Sequence, residues 1–384
     1  MKILSLFDGM SCARVALERA GIPVEAYYAS EIDRYAMQIS AKNYPDIVQL
    51  GSVVGLGYDA GQFLRDGNTL GIDYMEDIDL LIGGSPCQDL SIAKKNRKGL
   101  DGERSGLFWE YVRILKEVKP KYFILENVNS MPKEAKALIT ETLGVEPIMI
   151  NAALVSAQNR KRLFWTNIPN VTLPEDRGIL LKDILEQDVD EKYFVKGDTE
   201  KMIRQGNRYE KGGQAGIIKD TDGKSSTISC AGRGGADNSG LYRIGQIGKG
   251  GQADRIYSPE GKSVGLSALG GGRGAKTGLY AVPVAIIQTS RGYNKGGIKA
   301  LDGKTPTLSS SSWEHNNHII EDTQIRKLTP TECERLMGLD DGYTSGVSNS
   351  QRYKMLGNSF HIDVIAHIMS FIKGIDNKLE KNTI

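Results

Sequence analysis

A thiol on a stiff turn and a carboxyl closing a later strand are the two side chains in this sequence best placed for covalent chemistry. Cys87 lies in Gly83-Gly84-Ser85-Pro86-Cys87-Gln88, directly after the apolar run Ile78 to Ile82, broken only by Asp79. A run bounded by glycines reads as a buried strand of a parallel sheet. Pro86 fixes its own φ and pushes Ser85 into an extended conformation. The thiol is thus presented at the carboxyl edge of a strand, where open α/β sheets hold their ligands. Glu126 follows a second apolar run, Lys121 to Leu125. Alone, each has an ordinary explanation, an inert buried cysteine or a capping carboxylate. At one sheet edge together they permit nucleophilic attack with proton donation. In Gln158-Asn159-Arg160-Lys161-Arg162 the two arginines alternate, so both point to one face of an extended segment. Their forked guanidinium groups suit carboxylate or phosphate partners.

The elements that must position these groups alternate along the first half. Met1 to Phe7 reads as a buried strand and Asp8-Gly9-Met10-Ser11 as a turn, with Ser11 an N-cap for a helix over Cys12 to Ala20. Val24 to Ser30 is a second strand ending at Glu31. Strand, glycine turn, helix, strand and acid in that order form a nucleoside-binding unit, in which the acid accepts hydrogen bonds from a ribose. The G-x-G-x-x-G fingerprint is absent, which disfavours a nicotinamide oxidoreductase. Helices are expected over Arg34 to Lys42 and Gly106 to Val118, and another opens at Pro132. The alternation predicts an α/β fold, a doubly wound, mostly parallel sheet covered on both faces.

Composition sets the frame. The chain has 384 residues and a net charge of only +2, yet residues 201–325 hold 17 Lys and Arg against 10 Asp and Glu, and 24 of the 45 glycines. A basic, glycine-rich segment suits a polyanion such as nucleic acid. Cys12, Cys87, Cys230 and Cys333 lie far apart without a C-x-x-C pair, which argues against a zinc site and a disulfide framework. No uninterrupted apolar run approaches 18 residues and no signal-peptide pattern opens the chain, so no membrane span and a cytoplasmic location are expected.

In order along the chain, these motifs resemble those of the cytosine-C5 DNA methyltransferases. Phe7-Asp8-Gly9 is similar to the family's S-adenosylmethionine loop, Glu31 to its ribose-binding acid, and Pro86-Cys87-Gln88 to its nucleophile motif. Ser91 to Phe108 is similar to the mobile loop that closes over DNA, Glu126-Asn127-Val128 to the proton-donor motif, and Gln158, Arg160 and Arg162 to the Q-x-R-x-R motif. Arg326 to Cys333 resembles a scaffold motif, and Gln351 to Ser359 the last motif, which returns to the cofactor pocket. Two departures stand out: Ser11 where many members have glycine, and Gly51-Ser52-Val53 where an aspartate often holds the adenine amino group.

The resemblance implies a Rossmann-like methyltransferase sheet with S-adenosylmethionine as cofactor, S-adenosylhomocysteine as product and no metal. It implies a covalent bond from Cys87 to C6 of a flipped-out cytosine, proton donation by Glu126, contact of Arg162 with the base, and support from Arg160. Phe7, Asp8, Gly9, Glu31, Ile32, Ser52, Pro86, Leu107, Asn358 and Ser359 are the expected cofactor contacts, and Ser85, Gln88, Ser91 and Arg104 expected substrate contacts. The expected partner is double-stranded DNA, bound by a monomer, with a cognate restriction endonuclease as a further candidate partner. An RNA cytosine methyltransferase and a catalytically inactive DNA-binding relative are the alternatives.

The basic region is repetitive. Asp222-Gly223-Lys224-Ser225 recurs as Glu260-Gly261-Lys262-Ser263 and as Asp302-Gly303-Lys304-Thr305, at offsets of 38 and 42 residues. The family resemblance makes this a smaller β-rich target-recognition domain, with Arg233, Arg255, Arg273 and Arg291 as candidate readers of guanine edges. The expected divisions are 1–170 for catalysis and cofactor, 171–325 for recognition, and 326–384 for the return to the catalytic domain.

Overall fold

The computed structural model describes residues 1–72, 77–86, 106–194 and 328–381, with short stretches, mostly strands, between 243 and 326. The chain divides into two compact units. One comprises Met1–Ile179, Leu266–Ala268 and Cys333–Ile384; the other comprises Leu180–Gly265 and Leu269–Glu332.

The first unit is built on a seven-stranded sheet. Its strands are β1 (Lys2–Leu6), β2 (Ala26–Ser30), β3 (Val48–Gln49), β7 (Leu80–Gly83), β8 (Tyr122–Val128), β9 (Ile148–Asn151) and β11 (Lys161–Thr166), in spatial order β3-β2-β1-β7-β8-β11-β9. Pairing is parallel from β3 across to β8; β11 runs antiparallel between β8 and β9. β1 and β7 are buried on both faces, so β7 reads as an unbroken apolar run and β1, after Lys2, as one broken only by Ser5. The chain winds outward from β1 to β3 and then crosses to β7. The reversal leaves a crevice at the carboxyl ends of β1 and β7, where such sheets bind ligands.

Helix α1 (Cys12–Arg19) follows β1, and α2 (Arg34–Asn43) follows β2. α3 (Leu107–Val118) precedes β8, and α4 (Lys133–Leu143) follows it. α3 buries Phe108, Tyr111, Ile114 and Val118 at helical spacing, against a core that includes Leu4, Leu81, Leu125 and Trp165. Glu126 lies inside β8, opposite Phe164 of β11, rather than beyond the strand's end as the apolar run suggested. The sequence reading passed over β9 and an antiparallel sheet of β4 (Leu56–Asp59), β5 (Gln62–Arg65) and β6 (Asn68–Thr69) inserted before β7.

In the second unit, the repeat is visible in the described strands. β12 (Arg243–Gln246) and β13 (Arg255–Tyr257) form one antiparallel hairpin, and β16 (Ile286–Gln288) and β17 (Gly297–Lys299) another. Gln246 pairs with Arg255 and Gln288 with Gly297, so the closing pairs recur 42 residues on, while a bulge between Arg243 and Gly245 shifts the register of the first hairpin only. The motif Arg326 to Cys333, along which the chain passes from the second unit to the first, proves to be a helix start. Thr329 Oγ1 accepts from the Glu332 N–H (3.1 Å) and the Glu332 carboxylate accepts from the Thr329 N–H (2.8 Å), a capping box with Pro330 in the first turn of α5 (Pro330–Met337). The buried Arg326 guanidinium clasps the buried Glu332 carboxylate through two bonds, 2.8 and 2.6 Å.

Back in the first unit, α6 (Asn349–Asn358) and α7 (Ile362–Lys381) complete the chain. Buried Glu334 accepts from the N–H groups of Gly342 and Thr344 and from Arg352, fixing the approach to α6. The stretch Asn349–Ile372 is long and apolar enough to pass for a membrane span, although polar residues interrupt it throughout. Two thirds of its apolar window is buried within the protein, as in a core helix.

Candidate active site

The loop after β1 is left-handed at Phe7, Gly9 and Ser11, with φ of 56°, 64° and 62°. Ser11 occupies the expected cap position of α1 but makes no side-chain cap bond. Its hydroxyl donates to Asp8 Oδ2 at 2.5 Å and meets Ser40 Oγ at 2.6 Å. These buried bonds hold a serine in a conformation that otherwise favours glycine, which explains how this chain departs from the glycine of the motif. Asp8 Oδ1 accepts from the Tyr27 hydroxyl at 2.6 Å. Burial pushes the Asp8 carboxyl up to about 6, partly offset by the Ser11 and Tyr27 hydroxyls. The Asp8 carboxylate therefore braces the loop from the interior; as a direct cofactor ligand it is already engaged.

Glu31 ties this loop to the end of β2. Its Oε2 accepts from the Gly9 N–H at 2.8 Å, and its Oε1 accepts from Ile32 (2.7 Å) and Asp33 (2.8 Å). A carboxylate has about four acceptor positions, so roughly one remains. Asp33 caps α2 and pairs with Lys354 of α6. Burial alone would raise the Asp33 carboxyl, but Lys354 and the N–H groups of Tyr35 and Ala36 hold it below its ordinary value.

A cavity of about 540 Å³ opens at the carboxyl ends of these strands. One part of its wall comes from Phe7, Asp8, Gly9, Glu31 and Ile32, and another from Ser52, Val53 and Val54 after β3. Asn358, Ser359 and Phe360 close it from the last motif. Ile32 and Val54, both in this wall, are 76% and 57% exposed.

The same cavity reaches Gly84, Ser85, Pro86, Leu107, Glu126, Arg160 and Arg162. Arg162 Nε lies 2.8 Å from Glu126 Oε1. Asn127, buried beside Glu126, turns its amide to the carbonyl and hydroxyl of Ser85 (3.4 and 3.3 Å) and so ties β8 to the turn after β7. Gly84 has no room for a side chain: a Cβ there would stand 2.8 Å from Phe360 Cε1 and 3.2 Å from Glu126 Oε2. Arg160 is buried and donates to the carbonyls of Gly357, Ser359 and Leu266, at 2.8 to 3.3 Å. Both arginines reach the cavity wall, but Arg160 spends its donors on backbone.

Against known proteins, the model of the C-5 cytosine-specific DNA methylase family matches residues 1–374. The chain belongs to that family. It is a DNA cytosine-5-methyltransferase, and the family implies use of S-adenosylmethionine. Among its relatives, it is 28% identical over 386 residues to the type II methyltransferase M.HhaI of Haemophilus parahaemolyticus, covering 96% of this chain and 93% of that one. It is 26% identical over 440 residues to the orphan methyltransferase M.SPRI of Bacillus phage SPR, covering 96% of both. Among solved structures, the Entamoeba histolytica methyltransferase EhMeth superposes with a TM-score of 0.60 at 15% identity over 97% of this chain and 98% of that one. The S. pombe Dnmt2 methyltransferase gives 0.55 at 17%, over 98% and 99%. Both share the fold.

In this methyltransferase, all ten expected cofactor contacts line the cavity, as do Ser85, Glu126, Arg160 and Arg162. Cys87, Gln88, Ser91, Arg104, Arg233, Arg273 and Arg291 lie outside the described residues; Pro86, the neighbour of Cys87 in sequence, is in the wall. Arg255 opens strand β13. Sequence reasoning passed over Val54, Phe360 and the Asp33–Lys354 pair. Only their adjacency to motif residues could have flagged them.

Proposed function

We propose that this enzyme methylates a cytosine swung out of a DNA duplex at a particular sequence, through a covalent bond between Cys87 and C6. The observation that supports it most is one cavity with two unlike ends. Exposed apolar side chains and a partly free carboxylate stand at one; a carboxylate–guanidinium pair and the turn leading to the thiol stand at the other.

The first end fits S-adenosylmethionine. Ile32 and Val54 offer apolar faces to an adenine, and Glu31 keeps an acceptor position for a ribose hydroxyl. Phe7, Gly9, Ser52, Pro86, Leu107, Asn358 and Ser359 complete the wall. Bound there, S-adenosylmethionine supplies an electrophilic methyl group on sulfur.

At the second end, the Cys87 thiolate adds to C6, the nucleophile needed because C5 alone is too weakly nucleophilic. The displaced electron pair moves through C4 to N3, which Glu126 protonates. C5 becomes enamine-like and takes the methyl carbon as its bond to the sulfonium sulfur breaks, which leaves S-adenosylhomocysteine, and Glu126 recovers the N3 proton at the end of the cycle. A base, water or a side chain, then removes the C5 proton; the C5–C6 double bond re-forms and Cys87 leaves as thiolate. Arg162 orients Glu126 and faces the base, while Arg160 holds the Gly357–Ser359 segment against the site. C5 and C6 are stacked inside a duplex, so the base must leave the helix to be reached. Lys94, Lys95, Arg97, Lys98 and Arg104 supply phosphate contacts beside Cys87. The hairpin-bearing unit reads the sequence, with Arg233, Arg255, Arg273 and Arg291 as candidate readers. We infer a cytoplasmic enzyme, monomeric on DNA, acting with or without a restriction endonuclease of the same specificity.

The test is trapping on duplex DNA carrying 5-fluorocytosine in place of cytosine, at sites first mapped by bisulfite sequencing of DNA from expressing cells. The expected result is a covalent adduct with the wild type, and none with Cys87→Ala despite retained DNA binding. Adducts on RNA but not DNA would move the assignment to RNA. Methyl transfer by Cys87→Ala would refute the covalent route, and no transfer by the wild type would mark an inactive binding relative.

A further inference from the structure

The wall segment after β3 has no regular structure of its own, yet every carbonyl from Leu50 to Leu56 accepts a hydrogen bond. Arg65, on β5 of the inserted sheet, donates to three alternate ones: Nη1 to Ser52 O and Val54 O, each 2.7 Å, and Nη2 to Leu50 O. Arg113 on α3 takes Leu56 O at 2.6 Å and reaches Val53 O at 3.4 Å. The remaining two go to Ser30 Oγ, which donates to Gly51 O, and to the Asp66 N–H, which donates to Gly55 O. Arg113 is itself fixed by Glu110 and Glu117. One planar, always charged guanidinium spans three carbonyls in a geometry that an ammonium cannot copy. No residue of β4, β5 or β6 lines the cavity, yet Ser52, Val53 and Val54 do.

We propose that Arg65 is a positioning residue for the adenosine end of S-adenosylmethionine, and that the inserted hairpin exists to carry it. The proposal rests on the cofactor reading above. Here the wall has Gly51-Ser52-Val53 where a side-chain carboxylate often fills the role, and Ser52 Oγ turns back to accept the Val54 N–H at 3.1 Å, so even this side chain follows the course of the backbone. Recognition at this end therefore depends on where the backbone and the Val54 side chain stand. Arg65 sets that from behind. Without it the three freed carbonyls sample other arrangements, and affinity falls by the fraction of time the wall is out of place.

The experiment is calorimetric binding of S-adenosylhomocysteine to full-length wild type, Arg65→Ala and Arg65→Lys, with steady-state kinetics, duplex DNA binding and unliganded thermal midpoints alongside. Arg65→Ala is expected to weaken S-adenosylhomocysteine binding about tenfold or more and to raise KM for S-adenosylmethionine similarly. It should leave kcat within about threefold and DNA affinity unchanged, with Arg65→Lys intermediate. Equal affinity in wild type and Arg65→Ala, or a fall in kcat with KM unmoved, overturns the proposal. Failure of the wild type to bind S-adenosylhomocysteine overturns instead the cofactor reading beneath it. Should Arg65→Ala not fold, Arg65→Lys decides: weakened binding supports the role and unchanged binding refutes it.

Discussion

Replacing Asp8 by asparagine should make the protein more stable at neutral and alkaline pH, although it removes a buried, doubly hydrogen-bonded carboxylate. Burial raises the Asp8 carboxyl from 3.8 to about 6. Two units at 1.36 kcal/mol each set a ceiling of about 3 kcal/mol on the cost of carrying its charge in the fold. The folded pKa is above the unfolded one. The contribution of this group to stability is therefore fully present below about pH 4 and is lost as the pH rises through about 6. Asparagine carries no such cost. Its amide oxygen can still accept from Tyr27, and the Ser11 hydroxyl can turn to accept from the amide, since either oxygen of the Ser11–Ser40 pair can be the donor. The measurement is the difference in urea midpoint between Asp8→Asn and wild type, followed by tryptophan fluorescence at several pH values. The variant should gain about 1–3 kcal/mol near pH 8, and the gain should shrink towards pH 4. A difference that does not change with pH, or a variant destabilised equally at both ends, would show that the ionised carboxylate is a net support of the loop.

Gly84→Ala should cut kcat/KM about tenfold or more for a stability loss of roughly 1–3 kcal/mol, because its methyl would press on Phe360 and Glu126; unchanged kinetics would mean that the turn relaxes freely. Arg326→Met should cost roughly 3–5 kcal/mol by leaving buried Glu332 without its cation, and a loss below about 1 in denaturant titration would contradict the pairing. Burial pushes His361 down to about 4. Its neutral form supports the fold above about pH 6.5, and that support is lost as the pH falls towards 4, to a ceiling of about 3 kcal/mol. His361→Leu should flatten this acid limb in urea titrations, and an unaltered limb would place the titration elsewhere.

Alternating apolar runs and their punctuation carried the sheet, because a strand buried on both faces must be apolar throughout and its turns need glycine or proline. Gly9, Glu31 and Pro86 stood out because each follows the end of such a strand, and an open sheet collects strand ends at one rim; Glu126 stood out as the charge after an apolar run, although it sits within β8. Other features required the fold. Arg160 and Arg162 look equivalent in sequence, yet one grips the carbonyls of a segment nearly 200 positions away and the other pairs with Glu126. Ser11 looked like a cap, but its hydroxyl found better partners in Asp8 and Ser40. Arg65, 13 positions beyond Ser52 and in no motif, holds the carbonyls of the pocket wall from behind. Local pattern determines which backbone groups need partners and roughly where the chain turns. Which side chain supplies those partners is settled only when distant segments meet, because burial makes each unmet carbonyl or charge too costly to leave.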